Sequence, residues 1–300
     1  MRNRITGDVG GAGFRVSRRP LCALALLAGL AFLGLALERT PAAEQKSLPA
    51  ADPLPRILEK TRDYCNRLET ASLYFVCRER IEERQYSPPL SFSFASSATG
   101  GPRHVIGVSL EYDYQLVRTG ATIGEKRTLL REGGQPRNEP NAPLRTKLYK
   151  HKYLVFGPVG LLGGYWQPRH LYAYLGEDVV DKEKAFLIEA RPAGPPEPDL
   201  LYGKVWVRKK DFAIVKIEWD QTCLGHFEKV QQMAEMIGHG AEPKISIICL
   251  YGIEKNGIRF PSGLTTREDY DSKKGLFRVS EATVVYRDYR FFIVETEVRY

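Results

Sequence analysis

Residues 203–220 read GKVWVRKKDFAIVKIEWD, and this stretch sets the fold because it spells two alternating strands and the turn between them. Successive side chains of a strand point to opposite faces, so Val205 and Val207 point one way and Trp206 and Arg208 the other. After a charged turn at residues 209–211, Ala213, Val215, Ile217 and Trp219 line one face against Ile214, Lys216 and Glu218. A hairpin this apolar on one side needs a covering layer or a ligand.

The same pattern continues to the end of the chain. Strand-like segments lie at 171–176, 185–191, 244–254, 258–270, 277–286 and 289–300, with an Asn256-Gly257 hairpin turn and a polar break at 272–275. Between two of them, Phe227, Val230, Met233, Ala234 and Ile237 recur at helical spacing within residues 225–238. That segment reads as an inserted or lid helix, or else as an irregular crossover. No fixed-period repeat is present, which argues against a propeller or solenoid.

Working towards the N-terminus, GPVGLLGGYW at 157–166 has four glycines but no Lys followed by Ser or Thr. It is a poor phosphate loop and reads as a flexible apolar turn or lid. Residues 144–156 leave helix and strand both open, and 133–143 form a Pro- and Gly-rich break. Residues 122–132 pair with the strand in which Leu110, Tyr112, Tyr114 and Leu116 alternate with Glu111, Asp113 and Gln115. Residues 86–107, with Phe92 and Phe94 among serines, are either a mobile loop or a weak strand over a cavity mouth. Residues 73–84 read as a strand near a sheet edge, since RERIEER is so polar. Before it, Asp52 and Pro53 open a helix whose apolar face is Leu54, Ile57, Leu58, Thr61, Tyr64, Cys65 and Leu68.

The sum is an α+β chain of about ten or eleven antiparallel strands, which must curl into a strongly curved, incompletely closed barrel with an N-terminal helix and one or two lid helices.

Residues 1–43 read as an export signal rather than as part of the fold. Arg15, Arg18 and Arg19 precede an uncharged apolar run at 21–37, and Ala42 and Ala43 follow as a cleavage region. An uncleaved anchor at 21–37, facing the periplasm from the inner membrane, is the alternative. Residues 44–52 are then a linker and 53–300 a single domain. The signal holds six Arg against Asp8 and Glu38, so half of the formal +8 belongs to it. The remaining +4 forms no basic stripe, and no nucleic-acid partner is expected.

Four cysteines remain after export: Cys65, Cys77, Cys223 and Cys249. In an oxidising compartment the expectation is disulfides, with Cys65 to Cys77 and Cys223 to Cys249 favoured among the three pairings. Cys223, His226, His239 and Cys249 fit no standard zinc spacing, so no metal is expected. The five histidines are scattered, no nucleophile or acid and base signature is found, and neither catalysis nor a cofactor is expected.

GKVWVRKKDFAIVKIEW resembles the strand pair of periplasmic lipoprotein carriers, the outer-membrane lipoprotein-sorting family, with its Gly, aromatic, charged turn and Lys-rich strand. The leading helix and YGIEKNGIRFPSGLTTREDY at 251–270 are similar to larger members of that group. The resemblance implies an unclosed barrel with a helical lid that shelters acyl chains, so the partner is a lipid or an acylated protein, exchanged with an inner- or outer-membrane protein by a monomer. The inward positions expected to form the acyl-chain wall are Tyr112, Tyr114, Leu116, Phe186, Ile188, Val215, Ile217 and Trp219. The same residue types would equally make a packed core. A membrane-tethered sensor or interaction module on this fold, binding a protein through residues 73–84 or the terminal strand, is the alternative from another class.

Overall fold

The computed structural model describes residues 52–86, 105–119, 122–146, 157–195, 197, 200–223, 227–273 and 275–292. The expected signal, Phe92, Phe94, His226 and most of 144–156 lie outside these residues.

The opening hairpin is present as β7 (Gly203–Arg208) and β8 (Ile214–Trp219). It sits inside an antiparallel sheet of 11 strands. In sheet order these are β4 (Gln135–Pro140), β3 (Thr122–Glu132), β2 (Val105–Thr119), β1 (Phe75–Tyr86), β13 (Gly275–Phe291), β12 (Gly263–Ser272), β9 (Glu242–Leu250), β8, β7, β6 (Glu183–Pro192) and β5 (His170–Val180). β4 and β5 end the order, so the sheet does not close on itself among the described residues. Flat, such a sheet would be roughly 50 Å wide. One buried cluster nevertheless joins Leu129 of β3 to Ile188 of β6 and to helix α1 (Leu54–Ala71). The sheet must therefore wrap around its helix.

α1 begins where the sequence indicates. Asp52 Oδ1 accepts the Leu54 N–H at 3.0 Å, and Pro53 is the N-cap. Ile57, Thr61, Tyr64, Cys65 and Leu68 are its buried face. The glycine-rich segment, expected as a flexible apolar turn or lid, begins with a helix, α2 (Gly157–Leu162), with Gly157, Pro158, Leu161 and Leu162 buried. A Cβ on Gly157 would lie 2.8 Å from Trp219 Cζ2 and 3.0 Å from the Tyr251 hydroxyl, so glycine here permits close packing. The inserted helix exists as α3 (Phe227–Ile237) and covers Tyr270, Phe277 and Val279 with Val230 and Ala234.

Several expectations are corrected. β1 is central, between β2 and β13, and not an edge. Its polar residues are tolerated because the inward ones find partners: Glu79 receives Arg127 and Tyr286. The break at 133–143 contains edge strand β4, which Pro136 and Pro140 blunt. The two terminal segments from residue 277 are one strand, β13, through residue 291, with a register shift near Asp288, which has a positive φ of 55°. Segments 244–254 and 258–270 each break in two. β9 and β12 stay in the large sheet, while β10 (Ile253–Lys255) and β11 (Ile258–Phe260) form a separate hairpin. Asn256 and Gly257 make its turn with φ of 52° and 71°, the two positive values that the Asn-Gly pair favours.

Candidate functional site

Among the described residues, an open and largely apolar pocket lies where α1 ends, beside the β10–β11 hairpin. It is a pocket of ≈ 510 Å³ lined by Ala71, Tyr74, Lys255, Asn256, Ile258, Phe260, Phe291 and Phe292. That volume is in the range of small-molecule sites. Ala71 closes α1, Tyr74 precedes β1, Phe291 ends β13 and Phe292 follows it. A main-chain bond from Phe292 N–H to Tyr74 O at 2.8 Å holds the last two segments together.

The floor is aromatic. Phe260 and Phe291 have centroids 5.1 Å apart, Phe75 meets Phe260 edge-on at 5.4 Å, and Tyr289 stacks on Phe291 at 5.9 Å. Offset and edge contacts of this kind hold rings in fixed orientations. At the rim, Lys255 places Nζ 5.9 Å from the Phe291 ring centroid. Tyr74 is 40% exposed and Phe292 53%.

The hairpin that supplies Lys255, Asn256, Ile258 and Phe260 is tied down on its other side. The Tyr64 hydroxyl accepts the Arg259 N–H at 3.0 Å and donates to Arg259 O at 3.3 Å. Burial pushes the Tyr64 hydroxyl well above its ordinary value, which keeps it a donor. Arg259 also reaches Tyr251 O at 3.2 Å, Glu183 at 2.7 Å and Glu254 at 3.4 Å. Arg208 joins Asp211, Glu183 and Glu254 at 2.6, 2.6 and 3.0 Å. These bonds, that to Asp211 foremost, raise the Arg208 guanidinium above its ordinary range although burial opposes them. Buried Arg208 and half-buried Arg259 thus anchor the hairpin that forms one wall of the pocket.

None of the eight expected wall residues lines this pocket. Tyr112, Tyr114, Leu116, Ile188, Ile217 and Trp219 are buried together in the main core, and Phe186 packs at its margin against Phe212. Tyr112 donates to Pro143 O at 3.3 Å and Tyr114 to Glu125 at 3.0 Å, so their polar ends are used within the protein. Val215 is elsewhere. It clusters with Ala185 and Trp206, whose strand neighbours Phe186, Val205 and Val207 face the core. The register between β7 and β8 slips between Trp206 and Val207, leaving Val215 as the extra residue and turning it to the opposite face.

The disulfide expectation is corrected as well. Cys65, Cys77, Cys223 and Cys249 are free and buried. Cys65 Sγ donates to Pro158 O at 3.3 Å, Cys223 Sγ to Asp220 O at 2.9 Å, and Cys249 Sγ accepts the Trp219 indole N–H at 3.2 Å. The thiols serve as small core residues with polar contacts. Burial pushes Cys223 up to about 11 and Cys249 up to about 12, which leaves both protonated and unreactive at neutral pH. Among the described residues no group of three or more His, Cys, Asp and Glu is placed to hold a metal ion.

Two features escaped the sequence reading. The first is the pocket, whose aromatic residues lie at strand ends far apart in the chain. The second is the buried pair of Glu79 and Arg127. Phe75, Cys77, Glu79, Ile81 and Glu83 fall on one strand face, so alternation alone could have flagged two inward carboxylates.

No family model matches the chain, and no curated protein matches it. Among solved structures, a DUF1329 family protein from Desulfovibrio piger aligns over 82% of this chain and 96% of its own at 12% identity and a TM-score of 0.41. A domain described as an outer membrane lipoprotein-sorting protein, from Vibrio parahaemolyticus, aligns over 81% and 95% at 9% identity and a TM-score of 0.33. A LolA superfamily protein from Nitrosomonas europaea aligns over 81% and 96% at 12% identity and a TM-score of 0.30. At such identities and scores these likenesses carry no argument about a ligand or a role.

Proposed function

We propose that this chain is a non-enzymatic binding protein that shelters an acyl chain, of a lipid or of an acylated protein, and carries it outside the cytoplasm after export through residues 1–43. The observation that carries this reading is the pocket of ≈ 510 Å³, open at its mouth and floored by Ile258, Phe260 and Phe291. Burying a methylene group contributes about 0.8 kcal/mol, so a handful of carbons in this space suffices for binding. The residues expected as wall, Tyr112 and Ile217 among them, pack in the core and do not line this pocket. Lipoprotein sorting is the transport role that fits such a carrier.

The test is extraction of the purified exported protein followed by mass spectrometry, together with titration by a fluorescent fatty acid. An acyl species in the extract, displaced by the fluorescent probe, supports the carrier. An empty extract and no probe binding would sink it.

One observation favours the alternative of a sensor or interaction module: the core face beneath α1 is filled by side chains. On that reading the docking strand is β5, which ends the sheet and exposes Leu171, Leu175 and Val179. Crosslinks from β5 to a protein partner, with no lipid recovered, would favour it over the carrier.

A further inference from the structure

We infer that the ligand of the aromatic pocket is an anionic amphiphile with a carboxylate head, held by Lys255 at the rim while its tail lies on Phe260, Phe291 and Ile258. This deepens the carrier reading and rests on it.

The inference comes from how the lining is divided. Ala71, Ile258, Phe260, Phe291 and Phe292 offer no hydrogen-bonding side chain. The polar side chains are those of Tyr74, Lys255 and Asn256, and every one of them can donate. No carboxylate lines the pocket among the described residues. Glu254, the nearest acid in sequence, is turned to Arg208 and Arg259. Among the described residues the rim therefore carries one formal positive charge without a paired acid, beside an apolar floor.

Geometry places that charge where a head group would sit. Lys255 is the last residue of β10, next to the turn, and its ammonium lies 5.9 Å from the Phe291 ring centroid. A tail lying against Phe291 brings the first atoms of its head within reach of Lys255 Nζ, with the Asn256 amide and the Tyr74 hydroxyl as further donors. An alcohol head forfeits the charge-assisted bond, and a quaternary ammonium head meets a like charge. A single lysine matches a single negative charge, which favours a monoanionic head such as a carboxylate over a more highly charged one. Because Lys255 is exposed, the preference is modest and sensitive to salt.

The experiment is isothermal titration of the full-length chain with decanoate, decanol and decyltrimethylammonium, at low salt and at high salt. The expected result is that decanoate binds about fivefold more tightly than decanol and the ammonium compound most weakly, with the gap narrowing in high salt. Lys255→Gln, at the exposed end of β10, should weaken decanoate to the level of decanol and so erase the preference. Lys255→Glu should reverse it in favour of the ammonium compound. Equal binding of decanoate and decanol, tightest binding of the ammonium compound, or a preference that survives Lys255→Gln would overturn the carboxylate inference while leaving the carrier intact. Failure of all three to bind would overturn the carrier reading, and this inference with it.

Discussion

Glu79 and Arg127 face each other from β1 and β3 across the core side of the sheet, joined by hydrogen bonds of 2.6 and 3.1 Å with side chains 0% and 7% exposed. Tyr286 donates to the same carboxylate at 2.9 Å, and Arg127 also binds Glu125 at 2.9 Å and lies over the Tyr114 ring at 4.8 Å. Such a pair explains how a strand as polar as β1 occupies the middle of the sheet. Removing one partner strands the other charge in the core. Glu79→Leu or Arg127→Met should each destabilise the protein by about 3–5 kcal/mol, whereas the two combined should cost far less than the sum. Urea denaturation of the three variants measures this, and strict additivity would show that the two side chains do not depend on each other.

Gly157 makes the second case. Its missing Cβ is what lets α2 reach Trp219 and Tyr251. Gly157→Ala should cost about 1–3 kcal/mol through overpacking and shift the Trp219 fluorescence. Gly160, whose Cβ would meet nothing within 4 Å, is the control, and its Ala variant should leave the fluorescence alone.

The thiols make the third. Peptide mapping after alkylation without reductant should find Cys65, Cys77, Cys223 and Cys249 protected in native buffer and all modified in denaturant; a blocked pair in denaturant would restore the disulfide reading. Burial holds the Cys249 proton up to about 12 against an ordinary 9.0, although the Trp219 bond works the other way. Between those values the folded state keeps a proton that the unfolded chain releases. This contribution is therefore complete below pH 9 and is lost as pH rises towards 12. Over that window Cys249→Ala should flatten the fall in stability by about 1.4 kcal/mol per pH unit, which urea midpoints at pH 9 and 10.5 would reveal.

The pocket makes the fourth. Ala71 lines it at the end of α1, so Ala71→Trp should fill it. Fatty-acid affinity should drop at least about tenfold, equivalent to 1.4 kcal/mol, with little change in the urea midpoint. Unchanged affinity would place the ligand elsewhere.

The periodic parts of the fold were legible in sequence because each depends on local geometry. The alternation of Val205 and Val207 with Trp206, the helical spacing from Leu54 to Leu68, the Asn256-Gly257 turn and the isolated helix at Phe227–Ile237 all have their counterparts in the structure. Sheet position was not legible. Residues 73–84 looked like an edge because a strand cannot announce that Arg127, 48 positions from Glu79, will neutralise its inward carboxylate. Val215 looked like a wall residue because alternation assumes an unbroken register, and a one-residue bulge turns a side chain to the other face.

Sequence alone therefore determined that this chain builds a long antiparallel sheet with an apolar side and a leading helix to cover it, since period and turn chemistry are properties of neighbouring residues. Only the tertiary structure decided which apolar residues are core and which surround an opening. Tyr112 and Ile217 differ from Phe291 and Phe292 in what lies opposite them, and that is settled by segments hundreds of residues apart meeting in space.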